Sequence, residues 1–156
     1  MVYDPKLAKT WWAEPKAGQV MWCWTSRVSP PEPGPVQHPA LIYQVAKYVE
    51  YGGFKVRIAP GTSQKTDSLY PGELLLGTQA TASNAEIQAE NAILEAAGLT
   101  KPTKFSLTGM YWVDYNDEFF PVSWQKNATT PLLGSLSMTE DVKRRLAAAK
   151  KAAGLT

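Results

Sequence analysis

The chain has 156 residues, of which 44% are hydrophobic, and this size fits one globular domain with a substantial core. Charged residues make up 19% and the net charge is +2, so charge alone does not indicate a nucleic-acid binder. The single cysteine, Cys23, excludes a disulfide framework and a cysteine-based metal site within one chain. Because the sequence contains neither a run of ~18 apolar residues nor a basic start followed by a hydrophobic stretch, we expect a cytoplasmic protein that does not enter a membrane.

The first third of the chain predicts a short helix, a strand and a loop. Asp4 and Pro5 are typical of a helix start, and this helix would end before Pro15. Residues 18–26 place apolar side chains on both faces, which predicts a central, buried strand. The proline-rich residues 29–35 lack backbone donors for a sheet and predict an exposed loop between two strands.

A hairpin is predicted around Gly52 and Gly53, because glycine accepts the positive φ of tight turns. Its strands are residues 40–49 and 54–60. His38, the only histidine, precedes Pro39, which favours an extended conformation where the first of these strands begins.

The second half predicts short strands and two longer helices. Ser83 and Glu86 form a capping box for a helix that ends at Gly98, and a second helix begins near Thr139. The sequence Ala-Ala-Gly-Leu-Thr occurs twice, which indicates the same helix end used twice. Further strands are predicted at residues 73–78, 103–107, 118–124 and 131–136. The predicted fold is therefore mainly β with helices, in the α+β class, with a small curved antiparallel sheet or barrel and helices outside it.

Residues 61–65 are the first candidate for a binding or catalytic site. After a glycine that lets the backbone approach a ligand, Thr62, Ser63, Gln64 and Lys65 offer two hydroxyls, an amide and an ammonium group. Such groups can bind a phosphate or a nucleobase. The alternative is an ordinary turn in which the hydroxyls bond to their own backbone.

His38 is the second candidate, since an imidazole can act as a general acid or base. Hairpin pairing would place it opposite residues 62–67 if the strands contain no bulge. The alternative is a packing or surface histidine. Lys55 and Arg57 are similarly open to two interpretations: a solvated strand face, or, with Lys65, the beginning of a phosphate-binding groove.

Other side chains carry weaker signals. Asp114, Asp117 and Glu118 lie in an aromatic segment without further ligands, so we predict neither a metal site nor a cofactor. The basic side chains of the last helix predict a solvated face. Six Trp, seven Tyr and four Phe are either core residues or a stacking surface.

The order of these motifs resembles the PemK/MazF family of toxins from toxin–antitoxin systems. The order consists of a Gly-Gln-Val-Met-Trp strand, a long loop, a Pro-Ala-Leu-Ile strand, a turn, and a strand ending in Thr-Ser-Gln. The chain is similar to a longer subgroup that carries Gly-Thr-Ser-Gln-Lys, Leu-Tyr-Pro-Gly-Glu, Thr-Lys-Phe and Leu-Gly-Ser-Leu, found here at residues 61–65, 69–73, 103–105 and 133–136. The resemblance covers residues 15–155.

This resemblance implies an SH3-like barrel that usually forms a homodimer, cleaves single-stranded RNA without a metal and is silenced by an antitoxin protein. In that reaction the ribose 2′-hydroxyl attacks the adjacent phosphate, which leaves a cyclic phosphate and a free 5′-hydroxyl. Thr62 stands at the family's catalytic threonine, with Ser63 beside it. Where the family has an arginine before Pro-Ala, this chain has His38.

That substitution leaves two interpretations open. In the first, Thr62, His38 and Ser63 are catalytic, with His38 as acid or base, and RNA is bound by Gln64, Lys65, Arg57 and Lys55. In the second, the protein is a catalytically inactive relative that binds RNA or a protein partner. A structural or assembly role through the aromatic residues is a third hypothesis.

Overall fold

The computed structural model of the protein describes residues 7–48, 52–77 and 84–155. Within them the chain forms seven strands and two helices, and every strand pair is antiparallel. The strands are β1 (Gln19–Trp24), β2 (Gln37–Lys47), β3 (Phe54–Thr62), β4 (Glu73–Leu76), β5 (Thr103–Ser106), β6 (Tyr111–Asp114) and β7 (Leu132–Ser135). The helices are α1 (Asn84–Ala96), between β4 and β5, and α2 (Glu140–Ala152), after β7.

Strand β3 connects two parts of a curled sheet. The sheet order is β4-β5-β3-β2-β1-β7, and β6 pairs with β3 outside this path. The first half of β3 pairs with β6 through residues 55–58, whereas its last residues, Gly61 and Thr62, pair with β5. Because one strand changes partner along its length, the sheet curls into a half-barrel. The α+β class predicted from the sequence is confirmed at this level.

Alternation along the strands separates two hydrophobic cores. In β1, Val20 belongs to the core under the helices, whereas Met21 and Cys23 belong to the core on the opposite face. Both faces of β1 are thus apolar, as its sequence predicts. Helices α1 and α2 cover the first core with Ile93, Leu94, Val142 and Ala149, and Ala97 adds to it just after α1. The second core is closed by Trp12, Tyr115 and Phe120.

The predicted hairpin is confirmed, with one irregularity. Strands β2 and β3 are antiparallel, and Gly52 has a φ of 73°. The register shifts between Ile42 and Gln44, beyond which Ala40 pairs with Pro60. This bulge determines which residues of β2 and β3 face each other at the ends of the two strands that are far from the turn.

The two helices end in the same way. Each last turn is followed by a glycine with positive φ, Gly98 and Gly154, and by a leucine whose N–H returns to the helix. The bonds are Leu99 N to Leu94 O (2.9 Å), Gly98 N to Glu95 O (3.0 Å), Leu155 N to Lys150 O (2.9 Å) and Gly154 N to Lys151 O (3.1 Å). This is the Schellman arrangement predicted from the repeated sequence. The predicted start of α1 at Ser83 lies outside the described residues.

Two local predictions are wrong. Residues 7–14 contain no helix, because Trp12 is buried against Tyr115 (ring centroids 5.3 Å apart) while Trp11 Nε1 donates to Thr129 O. Asp4 and Pro5 lie outside the described residues. Residues 118–124 are not a strand, and the strand of this aromatic segment is β6, which pairs with β3 instead. Tertiary contacts override local propensity in both places. In the described parts of the chain, no helix is long and apolar enough to cross a membrane.

Candidate active site

A cavity of about 300 Å³ lies where the ends of several strands meet. Strands β2 and β3 contribute His38 and Thr62, and Ser63 and Gln64 follow directly after β3. The opposite side comes from the segment between α1 and β5 and from the loop before β7. The full lining is Trp22, Gln37, His38, Pro39, Thr62, Ser63, Gln64, Leu99, Thr100, Lys101, Thr103 and Trp124.

The hairpin register brings His38 and Thr62 together. Ala40 pairs with Pro60, and continuing this alignment by two residues brings His38 level with Thr62. Gly61 allows the close approach: a Cβ at this position would lie 2.7 Å from Pro39 O and 2.7 Å from the Phe105 ring. A side chain at residue 61 would therefore push β3 away from both β2 and β5.

The other side of the cavity depends on the end of α1. Gly98 has a φ of 72°, and a Cβ there would lie 2.0 Å from Leu133 O. Only glycine combines this backbone with this packing. The chain therefore turns sharply after α1, and Thr100, Lys101 and Thr103 reach the cavity as the chain enters β5.

His38 is half-buried and its environment favours the neutral imidazole. Burial lowers its pKa below the ordinary histidine value of about 6.5, and the positive charge of Arg27 lowers it further. At neutral pH the imidazole is therefore unprotonated and able to accept a proton. A general base at this position would work best above its lowered pKa.

Thr62 takes part both in a turn and in the cavity wall. Its Oγ1 accepts a hydrogen bond of 3.1 Å from the Gln64 N–H. This is the ordinary turn arrangement that the sequence offers as the alternative to a binding or catalytic site. A hydroxyl has one donor and two acceptor positions, so the O–H and one lone pair remain for a ligand. Ser63, also half-buried, provides a second hydroxyl.

Lys104 supports the turn that carries these hydroxyls. It pairs with Thr62 across β3 and β5 and is only 5% exposed. Its Nζ donates to Ser68 O at 3.0 Å and to Glu73 Oε1 at 3.2 Å. Strand pairing with Lys104 therefore holds Thr62 at one end of the segment from residue 62 to residue 73, and the Lys104 ammonium group holds Ser68 and Glu73.

Three predicted RNA-binding cations do not line the cavity. Lys65 is exposed. Arg57 donates to Gln44 Oε1 (3.0 Å) and lies 5.7 Å from the Tyr43 ring centroid, while Lys55 lies over the Trp112 ring at 5.4 Å. Arg57 precedes Thr62 by five positions along β3, roughly 16 Å at about 3.3 Å per residue.

The cation that does line the cavity, Lys101, was missed by the sequence analysis, as were Gln37, Thr103 and Trp124 as site residues. The pairing of β3 with β5 is what brings Lys101 and Thr103 to Thr62. The only sequence signal for Lys101 is its position between a helix-ending glycine and the next strand. Trp124 is 52% exposed, which marks it as a surface aromatic once the structure is known.

The cavity lining offers one imidazole, several hydroxyls, two amides and an ammonium group, and its described residues include no carboxylate. Among the residues that the structure describes, no group of three or more His, Cys, Asp or Glu side chains could hold a metal ion. These groups suit proton transfer and an anionic ligand such as a phosphate ester. Comparisons with models of known protein families and with curated protein sequences find no match for the chain.

Proposed function

We propose that the protein is a metal-independent endoribonuclease of the toxin type that cleaves single-stranded RNA. The observation that carries the proposal is the convergence of His38, Thr62 and Ser63 on one cavity that also contains Lys101. Cleavage by the RNA's own 2′-hydroxyl needs a proton acceptor and stabilisation of charge on the phosphorane. The cavity lining contains a group for each task.

His38 is the proton acceptor in this proposal. Its lowered pKa keeps it neutral at pH 7, so it takes the proton of the 2′-hydroxyl as the O2′–P bond forms. Lys101 and the hydroxyls of Thr62 and Ser63 stabilise the negative phosphorane oxygens. The P–O5′ bond then breaks, the 5′-oxygen takes a proton from water, and the hydroxide that remains takes up the proton that His38 accepted. In this scheme Lys101 takes the phosphate-binding role that the sequence suggests for Lys55, Arg57 and Lys65.

The aromatic side chains of the cavity favour single-stranded RNA over a duplex. Trp22 and Trp124 both line it, and unpaired bases stack readily on such rings. A base within a duplex cannot reach a cavity of this size without leaving its stack.

The finer architecture and the partners belong to the same proposal. A curled antiparallel sheet with a C-terminal helix and an inserted helix is compatible with the SH3-like barrel of the PemK/MazF family. The motif order that resembles this family supports a homodimer and an antitoxin protein as partners, and a cytoplasmic location.

Incubation of the pure protein with mixed single-stranded RNAs in EDTA tests the proposed reaction. We expect products with 2′,3′-cyclic phosphate and 5′-hydroxyl ends. Thr62→Ala should abolish cleavage, whereas Thr62→Ser, which keeps the hydroxyl and its bond to the Gln64 N–H, should retain it. Absence of cleavage at high protein concentration from about pH 5.5 to about pH 8.5 would count against the proposal.

The second candidate is a catalytically inactive module that binds RNA or a protein partner. The specific observation in its favour is the hydrogen bond from Gln64 N to Thr62 Oγ1, which gives Thr62 an ordinary turn role. Tight RNA binding without cleavage at any pH would support this candidate over the first.

A further inference from the structure

Gln37 is held in one orientation at the edge of the cavity. Trp22 Nε1 lies 2.9 Å from Gln37 Oε1, and both residues line the cavity. The indole N–H can only donate a hydrogen bond, so the amide oxygen, and not the amide nitrogen, must face it. The chemistry of the two groups therefore determines the orientation of this amide.

The fixed oxygen leaves the NH₂ group of Gln37 as the end available to a ligand. Among the described residues, Gln37 Nε2 has no hydrogen-bond partner. Gln37 is half-buried and directly precedes His38, the proposed base. A partly buried donor is best satisfied by a ligand oxygen or nitrogen that accepts, and a second donor placed against it would leave both groups unpaired.

The cavity has room for one nucleotide unit. Its volume of about 300 Å³ is at the lower end of the range for small-molecule sites, ~300–1,000 Å³. Trp22 and Trp124 offer flat apolar surfaces for a base, while Lys101, Thr62 and Ser63 offer polar groups for its phosphate. Because the indole N–H points along the ring plane, its bond to Gln37 places the amide at the edge of the Trp22 ring, and a base stacked on this ring would present its own edge to Gln37.

We infer that the cavity selects keto bases, uracil and guanine, over amino bases, cytosine and adenine, and that Gln37 is the residue that reads this difference. The inference rests on the proposed RNA cleavage. Uracil O4 and guanine O6 accept a hydrogen bond from the Gln37 NH₂ group, whereas cytosine N4 and adenine N6 carry hydrogens of their own. Trp22 determines the direction of this preference because it holds the oxygen of the amide.

Chimeric oligonucleotides test the inference. Each would be a deoxyadenosine strand with one ribonucleotide as the only cleavable position, and the base of that ribonucleotide and of its 3′ neighbour would be varied independently. At one of the two positions we expect U to be cleaved at least about tenfold faster than C, and G faster than A. A nucleotide with 2-pyrimidinone, which has hydrogen in place of O4, should fall between U and C.

Two variants test the role assigned to Gln37. Gln37→Glu keeps an oxygen for the Trp22 N–H but replaces the donor by a second acceptor, so C should now be preferred to U. Trp22→Phe removes the indole N–H and frees the amide to rotate, so the U-to-C ratio should fall towards one. Gln64→Glu is the matched control, because it adds the same charge to the same cavity and should slow all substrates with the U-to-C ratio unchanged.

Binding of fully deoxy versions of the same strands, followed by tryptophan fluorescence, gives a second readout that needs no cleavage. Cleavage of all substrates at equal rates would overturn the inference and leave the proposed function standing. Absence of cleavage, with U or T strands still bound more tightly than C strands and the ratio reversed in Gln37→Glu, would overturn the proposed function but not the base preference. An unchanged U-to-C ratio in Gln37→Glu, in either assay, would show that Gln37 does not read the base.

Discussion

Strand β3 carries polar side chains at both of its ends, and the two ends differ in what surrounds them. At the β6 end, Lys55 lies over the Trp112 ring, and Arg57 lies over Tyr43 and donates to Gln44. Their partners are immediate neighbours in the sheet. At the β5 end, Thr62 lines a cavity with side chains from four other parts of the chain. The cations at the β6 end therefore contact neighbouring side chains of the sheet, whereas the polar groups at the β5 end lie together around one cavity.

The difference arises from the change of strand partner. Along residues 55–58 both edges of β3 are paired, with β2 and β6, so its outward side chains lie on a continuous surface. The pairing of β3 with β2 extends to Pro60, and from Gly61 the strand also pairs with β5, where Thr62 lines the cavity. In β3, the position where the strand changes its pairing partner therefore indicates the candidate site, whereas the presence of lysine and arginine side chains does not.

The sharpest test of this comparison is the pair His38→Ala and Arg57→Ala. Loss of a general base typically costs about 10²–10⁴-fold in rate, so His38→Ala should reduce kcat by this amount. Arg57→Ala should change kcat by less than about threefold, because its contacts are made with Gln44 and Tyr43 far from the cavity. Cleavage of a labelled single-stranded RNA at saturating substrate measures both values. If Arg57→Ala were the more damaging of the two, the site would lie at the wrong end of β3.

A stability measurement separates the two ends in a second way. Lys104→Met should lower the free energy of unfolding by about 3 kcal/mol, because it leaves the largely enclosed Glu73 carboxylate with the Tyr70 N–H but without its cationic partner. Lys55→Met, at the other end of β3, should lower it by less than about 1 kcal/mol, the usual magnitude of a cation–π contact near the surface. Urea unfolding followed by circular dichroism gives both values. Equal losses would mean that the ion pair does not anchor the turn after Thr62.

Lys101 and Lys65 provide a matched pair within the candidate site. Lys101 lines the cavity and Lys65 does not, although Lys65 is adjacent to Gln64 in sequence. Lys101→Met should reduce kcat/KM by about tenfold, as expected for one lost charged contact to phosphate, about 1.4 kcal/mol. Lys65→Met should reduce it by less than about twofold. The reverse order would return the phosphate-binding role to the cation expected from the sequence.

Much of the fold could be predicted because its signals are local. The Gly52-Gly53 turn, the proline-rich loop and the repeated Ala-Ala-Gly-Leu ending each depend on the conformational limits of one or two residues. The prediction of an N-terminal helix was wrong because Trp11 and Trp12 form separate tertiary contacts, with Thr129 and Tyr115 respectively. Strand β6 was missed because its pairing with β3 joins segments more than fifty positions apart in sequence.

The sequence predicted the residues that the β2–β3 hairpin brings to the candidate site, but it did not predict the residues that reach the site through β5 and the loops. His38, Thr62, Ser63 and Gln64 were all chosen from the sequence, and one hairpin brings them to one cavity. Lys101 and Trp124 reach the same cavity through strand pairing and loops that leave no periodic pattern. The positions of Lys55 and Arg57 could not be judged, since an alternating cation looks the same whether or not it faces a ligand.

The smallest expected effect is the pH dependence of stability at His38. Burial and the charge of Arg27 lower its pKa in the folded protein below the value of about 6.5 expected in the unfolded chain. The unfolded chain therefore binds more protons in this range, and the contribution of His38 to stability is present above pH ~6.5 and lost as the pH falls through the folded pKa. The unfolding free energy of the wild type should fall relative to His38→Gln on acidification, whereas Arg57→Gln should run parallel to the wild type. A wild type that gains stability relative to His38→Gln in acid would mean that the imidazole is charged in the cavity, and His38 could then act as a general acid but not as the proposed base.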